Sequence, residues 1–366
     1  MSRTILCVVG TRPEAIKMAP VILRLRADPG FKVRVLATAQ HRDLLDQILT
    51  CFDIKPDVDL DIMRPNQSLA SLTSRLLDGI DAVLTDMRPD LVLGQGDTTT
   101  VMATALACFY RQIPFGHIEA GLRTRDLGNP FPEEMNRVFA GRLARLHFAP
   151  TASSRDNLFH ENIPADRIWV TGNTVIDALH TVLQKHPSCG VDIDDTKRLI
   201  LVTAHRRENF GAPLERICRA IRQIVDANDD IEVLFPVHPN PHVRRTTREL
   251  LSHHARIRLC PPLDYVPFVA AMQRAYLILS DSGGVQEEAP ALGKPVLVLR
   301  DETERPEAVE AGVVRLVGTQ TDTIVNAVQL MLDNADEYSK VARGVSPYGD
   351  GKAAQRIFDV IREQLV

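Results

Sequence analysis

Thr4-Ile5-Leu6-Cys7-Val8-Val9-Gly10-Thr11-Arg12-Pro13-Glu14-Ala15-Ile16-Lys17 opens the regular structure of this chain. Residues 4–9 have no polar face, so they read as a strand covered on both sides. Gly10 begins a turn, and Pro13 with Glu14 marks the first turn of a helix. Strand, tight turn and helix make half of a βαβ unit, and the same half-unit recurs along most of the chain. Strands are predicted at Thr4–Val9, Lys32–Thr38, Leu91–Gly94, Phe115–Ile118, His147–Pro150 and Ile168–Thr171. Helical spacing lies between them, as in Ala15–Arg26, Ser68–Met87 and Thr99–Arg111. A second series runs through Leu199–Thr203, Ile231–Pro236, Ile257–Leu259, Tyr276–Ser280, Pro295–Leu299 and Val314–Leu316. Residues 185–195 carry Pro187 and Gly190 and read as a loop.

The expected fold class is therefore α/β, with two Rossmann-like domains facing across a cleft. The expected boundaries are 1–172 and 173–352, with a final helix in 353–366 packing back on the first domain. A length of 366 residues agrees with two cores rather than one. The formal charge of −4 gives no general attraction for nucleic acid or an anionic membrane. The 6 cysteines are scattered without a C-x-x-C pair, which predicts free thiols and no metal site. No stretch has the length of a membrane span, and the opening apolar run is too short for a signal peptide. A cytoplasmic location is expected.

Ligands of open parallel sheets bind beyond the carboxyl ends of the strands, and the unusual residues of this chain cluster there. The turn after the first strand is not the G-x-G-x-x-G dinucleotide fingerprint, so no nicotinamide cofactor is expected, nor any other cofactor. Arg12 and Lys17 could receive a diphosphate at the helix start, or could be solvated cations. Asp97, in Gly94-Gln95-Gly96-Asp97-Thr98, could serve a ligand or cap the following helix. Glu119 follows an apolar strand, where a lone carboxylate is costly; pairing with His117 or Arg123, or acid–base chemistry, would explain it. Glu133 and Glu134 match what helix-start preferences alone produce. His205, with Arg206 and Arg207, follows a buried strand and suits an anionic ligand; His238 repeats that placing more weakly. Ser282-Gly283-Gly284 opens a helix after another strand, a phosphate cradle built from N–H groups and a hydroxyl. Glu288 falls one turn further on, and Arg305 is one more candidate cation.

Taken together, GTRPEAIKMAP, TAQHRDLLDQ, GDTTT, GHIEAGLRT, FPEEMNR, TGNTVIDAL, AHRREN, DSGGVQEEAPALGKPVLVLRDETERPEAV and SPYGDG resemble the non-hydrolysing UDP-N-acetylglucosamine 2-epimerases, block by block and in order. The resemblance implies a glycosyltransferase-B-type fold and a homodimer. It implies catalytic roles for Asp97, Glu119, Glu133 and His205, and substrate contacts from Arg12, Lys17, Phe268, Ser282, Gly283, Gly284, Glu288 and Arg305. Glu133 is raised to a site residue by the resemblance alone. A second, activating sugar-nucleotide site in some members would fall on Gln40, His41, Arg206 and His238. Asp43 and Asn66 depart from the Gln and Arg of those members, and an acidic Asp43 would weaken diphosphate binding. Leu263 replaces a Gln found near the uracil in some members.

The implied reaction inverts a carbon whose hydrogen is not acidified by a carbonyl. Loss of UDP from C1 gives oxocarbenium character that acidifies the C2 hydrogen; a carboxylate removes it, and UDP adds back after protonation on the other face. Competing possibilities are a hydrolysing epimerase that releases UDP and N-acetylmannosamine, a glycosyltransferase with a separate acceptor, and a sugar-nucleotide-binding regulator without turnover.

Overall fold

Strands that are apolar at every position need cover on both faces, which a parallel sheet between two helical layers provides. The computed structural model, which describes residues 2–38, 42–64 and 66–365, contains two such sheets in separate units. One unit comprises Met1–Thr181 with Tyr348–Val366, the other Val182–Pro347.

The first unit holds β1 (Arg3–Val9), β2 (Phe31–Ala37), β3 (Val58–Asp59), β4 (Leu91–Gln95), β5 (Phe115–Ile118), β6 (Leu146–Ala149) and β7 (Ile168–Val170). They pair in parallel in the order β3-β2-β1-β4-β5-β6-β7. Leu6, Val8, Leu36, Val92 and Phe115 anchor one face of this sheet against Leu72, Leu76, Ile80 and Leu84 of the helix Leu69–Met87. The chain's last helix, Ala353–Leu365, belongs to this unit. Its first backbone N–H groups, at Ala353 and Ala354, donate to the Asp177 carboxylate at 3.2 and 2.9 Å. Its Phe358 meets Phe31 edge-on, and the Arg24 guanidinium lies 3.6 Å over the Phe358 ring.

The second unit holds β8 (Arg198–Thr203), β9 (Ile231–Pro236), β10 (Ile257–Cys260), β11 (Leu277–Ser280), β12 (Val296–Val298) and β13 (Val314–Leu316). Their order is β10-β9-β8-β11-β12-β13, again all parallel. Ile200, Val202, Phe235 and Leu279 pack here against Ile217, Ile221 and Ile224 of the helix Ala212–Ala227. The expected strands are present to within a residue or two at each end. β3 is the addition: two residues at a sheet edge are too short to show a period.

Both sheets reverse their order of winding at one place, between β1 and β4 in the first and between β8 and β11 in the second. Helices on either side of such a reversal leave the strand ends open, which is where ligands of open α/β sheets bind. Among the described residues no helix is long and apolar enough to cross a membrane.

Candidate active site

At the first reversal, β1 runs into the helix Arg12–Arg26 and β4 into the helix Thr99–Arg111. Arg12 is the first residue of its helix, half-buried, with Lys17 one and a half turns on. Beyond β4 the chain turns at Gly96, whose φ of +83° suits only glycine, and presents Asp97. Thr98, not Asp97, caps the helix that follows, its Oγ1 accepting from the Val101 N–H at 3.4 Å. Asp97 is therefore released from the structural duty that its position allowed. Its Oδ2 accepts from Arg137 Nη2 at 2.6 Å, and 28% of its side chain remains exposed, enough to meet a ligand.

Arg137 lies on the helix Glu133–Leu143, and its Nη1 also faces Glu134 Oε2 at 3.3 Å. Glu134 is fully buried and accepts backbone N–H bonds from Thr124 and Arg125 at 3.0 and 2.9 Å. Its neighbour Glu133 begins the helix. Burial pushes the Asp97 carboxyl above the ordinary carboxylate range; Arg137 and Lys17 pull it back, and the charge of Glu133 pushes it up again. Glu133 thus acts electrostatically on Asp97.

Glu119 follows β5 with φ +64°, a left-handed backbone that a non-glycine residue adopts at a cost of about 1–3 kcal/mol. Its Oε1 meets Lys17 Nζ at 2.5 Å and Asn173 Nδ2 at 2.8 Å, and its Oε2 accepts from Gln95. The two partners suggested by sequence proximity are engaged elsewhere. Arg123 forms a bidentate pair with Glu161 at 2.6 and 2.8 Å. His117 is buried with Nε2 2.7 Å from the Gly96 carbonyl, and burial lowers its pKa to about 3. A neutral His117 therefore donates Nε2–H to that carbonyl and steadies the Gly96–Asp97 turn.

At the second reversal, β8 leads to His205 and β11 to Asp281 and Ser282. His205 Nδ1 stands 3.0 Å from Asp281 Oδ1, and the His238 ring lies 6.2 Å away, nearly parallel. Burial, then the charge of His205, holds the His238 imidazole below the ordinary histidine range. Ser282 precedes the helix Gly283–Glu288, and its hydroxyl makes no capping hydrogen bond to it among the described residues. Arg206 pairs with Glu304 at 3.1 Å, and a Cβ on Gly283 would come within 3.8 Å of its guanidinium. Glu288 accepts from Tyr265 Oη at 3.2 Å; Tyr265 begins the helix Tyr265–Arg274, which also carries Phe268. Arg305 Nε donates to Glu287 Oε1 at 2.5 Å, so its guanidinium is anchored along one edge. Gln40 and His41 lie outside the described residues. No grouping of His, Cys, Asp and Glu suited to a metal ion occurs among the described residues.

Residues 23–362 match the family model described as UDP-N-acetylglucosamine 2-epimerase. The UDP-N-acetylglucosamine 2-epimerase of Salmonella typhimurium is 51% identical over 99% of this chain and 99% of its own. The chain belongs to the UDP-N-acetylglucosamine 2-epimerase family. The crystal structure of the family member from Neisseria meningitidis bound to UDP-GlcNAc superposes with a TM-score of 0.89 at 48% identity, covering 98% of this chain and 100% of that one. The fold alone extends to the kitacinnamycin glycotransferase, with a TM-score of 0.70 at 14% identity over the whole of both chains. The glycosyltransferase-B-type architecture expected from the sequence is thus shown.

Three residues of this family member escaped the sequence analysis: Arg137, Asp281 and Glu14. Arg137 and Asp281 had signals, an Arg in a Pro-Glu-Glu helix start and an Asp at a strand end, but nothing local paired them with Asp97 and His205. Glu14 reads as an ordinary first-turn acid. In the structure it is buried, and its Oε2 accepts from the Gly10 and Thr11 N–H groups, both at 2.7 Å, while Thr98 Oγ1 donates to Oε1. It joins the loop before Arg12 to the loop after Asp97.

Burial lifts the Glu14 pKa to about 7, against the four hydrogen bonds that lower it. The folded protein therefore holds this proton more tightly than the unfolded chain does. The resulting stability is complete below about pH 4.5 and is lost as pH rises through about 7, a change of up to roughly 3 kcal/mol. Glu14→Gln keeps an oxygen for the two N–H groups and places its NH2 to donate to Thr98 Oγ1, which then accepts. Urea denaturation across this range should show wild type losing stability relative to Glu14→Gln; parallel curves would contradict the titration.

Proposed function

We propose that the chain catalyses reversible C2 epimerisation of UDP-N-acetylglucosamine to UDP-N-acetylmannosamine without hydrolysis. The supporting observation is the grouping of Asp97, Glu119, Lys17 and Arg137 at the β1/β4 reversal of a chain belonging to this family. The C1–O bond breaks and its electron pair leaves with UDP, while a carboxylate takes the C2 proton and a C1–C2 double bond forms. UDP then adds back to C1 as C2 is protonated from the other face. Asp97, Glu119 and Glu133 are the acid–base candidates, and the charge of Glu133 helps to hold the Asp97 carboxyl above the ordinary range. Arg12, His205, Arg305 and the Ser282–Gly284 helix start receive the departing diphosphate, with Lys17, Phe268 and Glu288 as further substrate contacts.

Incubation with UDP-N-acetylglucosamine in deuterium oxide tests the reaction. Deuterium at C2 together with the manno sugar nucleotide supports it. Stoichiometric UDP with free N-acetylmannosamine indicates the hydrolysing alternative, and absence of exchange indicates a transferase or a binding regulator.

Arg305→Ala should weaken UDP binding by roughly 1.5–3 kcal/mol, the contribution of a charged hydrogen bond. It also removes the guanidinium anchored on buried Glu287, so melting should fall as well. Calorimetry below the melting range separates the two effects; unchanged affinity would remove Arg305 from the nucleotide site. We also propose a homodimer through the helices Thr99–Arg111 and Glu133–Leu143. Phe109, Tyr110, Met135 and Phe139 stand exposed on them by 61, 67, 40 and 37%. A monomer mass in light scattering would refute this.

A further inference from the structure

His205 and Asp281 come from different strands, yet their contact is more constrained than a simple ion pair. Asp281 is fully buried just beyond β11. Its Oδ2 accepts from the backbone N–H groups of His205 and Arg206 at 2.8 and 2.9 Å, and from Asn209 Nδ2 at 3.0 Å. Three donors converge on this one oxygen and fix its position. The buried Oδ1 makes no well-aligned hydrogen bond among the described residues and faces His205 Nδ1 at 3.0 Å. Burial raises the Asp281 carboxyl, but the His205 contact and the backbone donors outweigh it and hold it below the ordinary range. At neutral pH Asp281 is an acceptor only, so the nitrogen facing it must carry a hydrogen.

We propose that Asp281 is a positioning residue for the epimerisation, fixing His205 with Nδ1–H on the carboxylate and Nε2 turned outward to the substrate's diphosphate. The inference rests on the reading of His205 as a diphosphate contact. His205 keeps 41% of its side chain exposed, so the outward nitrogen is reachable, and the His238 ring limits how far the imidazole can swing. When an anionic oxygen arrives, Nε2 takes up a proton from solvent and donates it as a hydrogen bond. The imidazolium then carries its charge between Asp281 and the phosphate. As the C1–O bond breaks, the diphosphate gains negative charge, so this contact is stronger in the transition state than in the bound substrate.

Asp281→Asn reverses the arrangement at nearly constant shape. Its amide oxygen belongs at the Oδ2 position, where three donors converge, which leaves the NH2 facing His205. That NH2 requires Nδ1 to accept, so the ring proton moves to Nε2 and double protonation is disfavoured. Turnover should fall roughly 100-fold, as when one transition-state donor is impaired, with KM changed far less. In His205→Gln the same substitution should add little further loss, because both changes remove one interaction.

The direct test uses protein labelled with 15N in histidine. The His205 ring signals are assigned as those missing from His205→Gln and are followed into alkaline buffer until they stop changing. Wild type should show Nδ1 protonated and Nε2 unprotonated, and Asp281→Asn the opposite. A wild-type ring with its proton on Nε2 overturns the proposal without recourse to the variant, should that variant not fold. Asp281→Asn turning over at the wild-type rate also overturns it. Deuterium exchange at C2 by wild type is run alongside. If that exchange is absent while the ring pattern is as expected, the proposed reaction has failed and the His205–Asp281 geometry has not.

Discussion

Asp97→Asn should lose C2 deuterium exchange almost completely, with turnover down roughly 10²–10⁴-fold, the contribution of one positioned acid–base group. The substitution is nearly isosteric, and an asparagine oxygen can still accept from Arg137 Nη2, now 2.6 Å from the carboxylate. Gly96, Thr98 and the helix behind them have no reason to move, because Thr98 supplies the cap. Only the ability to take and return a proton disappears. UDP should bind about as well as to wild type, since the proposed diphosphate groups lie on Arg12, His205, Arg305 and the Ser282–Gly284 turn. Glu133→Gln should behave alike if Glu133 handles a proton. If it acts only through its charge on Asp97, turnover should survive with a shifted pH profile. Near-normal exchange in both variants would end the assignment of acid–base work to this pair.

That the prediction can be made at all reflects how different features register in a linear sequence. The β1 and β8 runs are apolar at successive positions because helices cover both faces, and that requirement is visible residue by residue. The glycine at position 96 and the breakers at 283 and 284 mark turns for the same local reason. Partner choice is another matter. Glu119 lies two residues from His117 and four from Arg123, but its backbone leaves β5 in a left-handed turn. That turn directs the carboxylate to Lys17, Gln95 and Asn173. Asp281 and His205 are 76 residues apart and meet because β8 and β11 are neighbours at the reversal of the sheet. Glu133 was indistinguishable from an ordinary helix-start acid until the family resemblance singled it out. Strand and turn positions were legible; the pairs that set protonation were not, since they depend on which strands lie side by side.

Arg137 is where this matters most for the chemistry. Its guanidinium faces Asp97 with one nitrogen and buried Glu134 with another, a division of contacts that a single ammonium cannot copy. Arg137→Met should lower stability by about 3 kcal/mol or more, because the Glu134 charge loses its ionic partner in a buried setting. The effect on Asp97 has a definite sign. Burial already raises this carboxyl and Arg137 is the largest influence opposing it, so its removal raises the pKa further. In the direction in which Asp97 removes the C2 proton, it must start ionised. Turnover in that direction should fall near neutral pH and recover as pH rises. The opposite direction passes through the same transition state, so kcat/KM there changes by the same factor at each pH, as the fixed equilibrium constant of the two sugar nucleotides requires. An acidic limb of the kcat/KM pH profile that moves up equally from the gluco and from the manno sugar nucleotide therefore assigns that ionisation to Asp97. Arg137→Lys, which keeps the charge but not the double contact, should give a smaller shift of the same sign. If the acidic limb does not move in Arg137→Met, Asp97 is not the group whose ionisation limits turnover, and Glu119 or Glu133 must take its place.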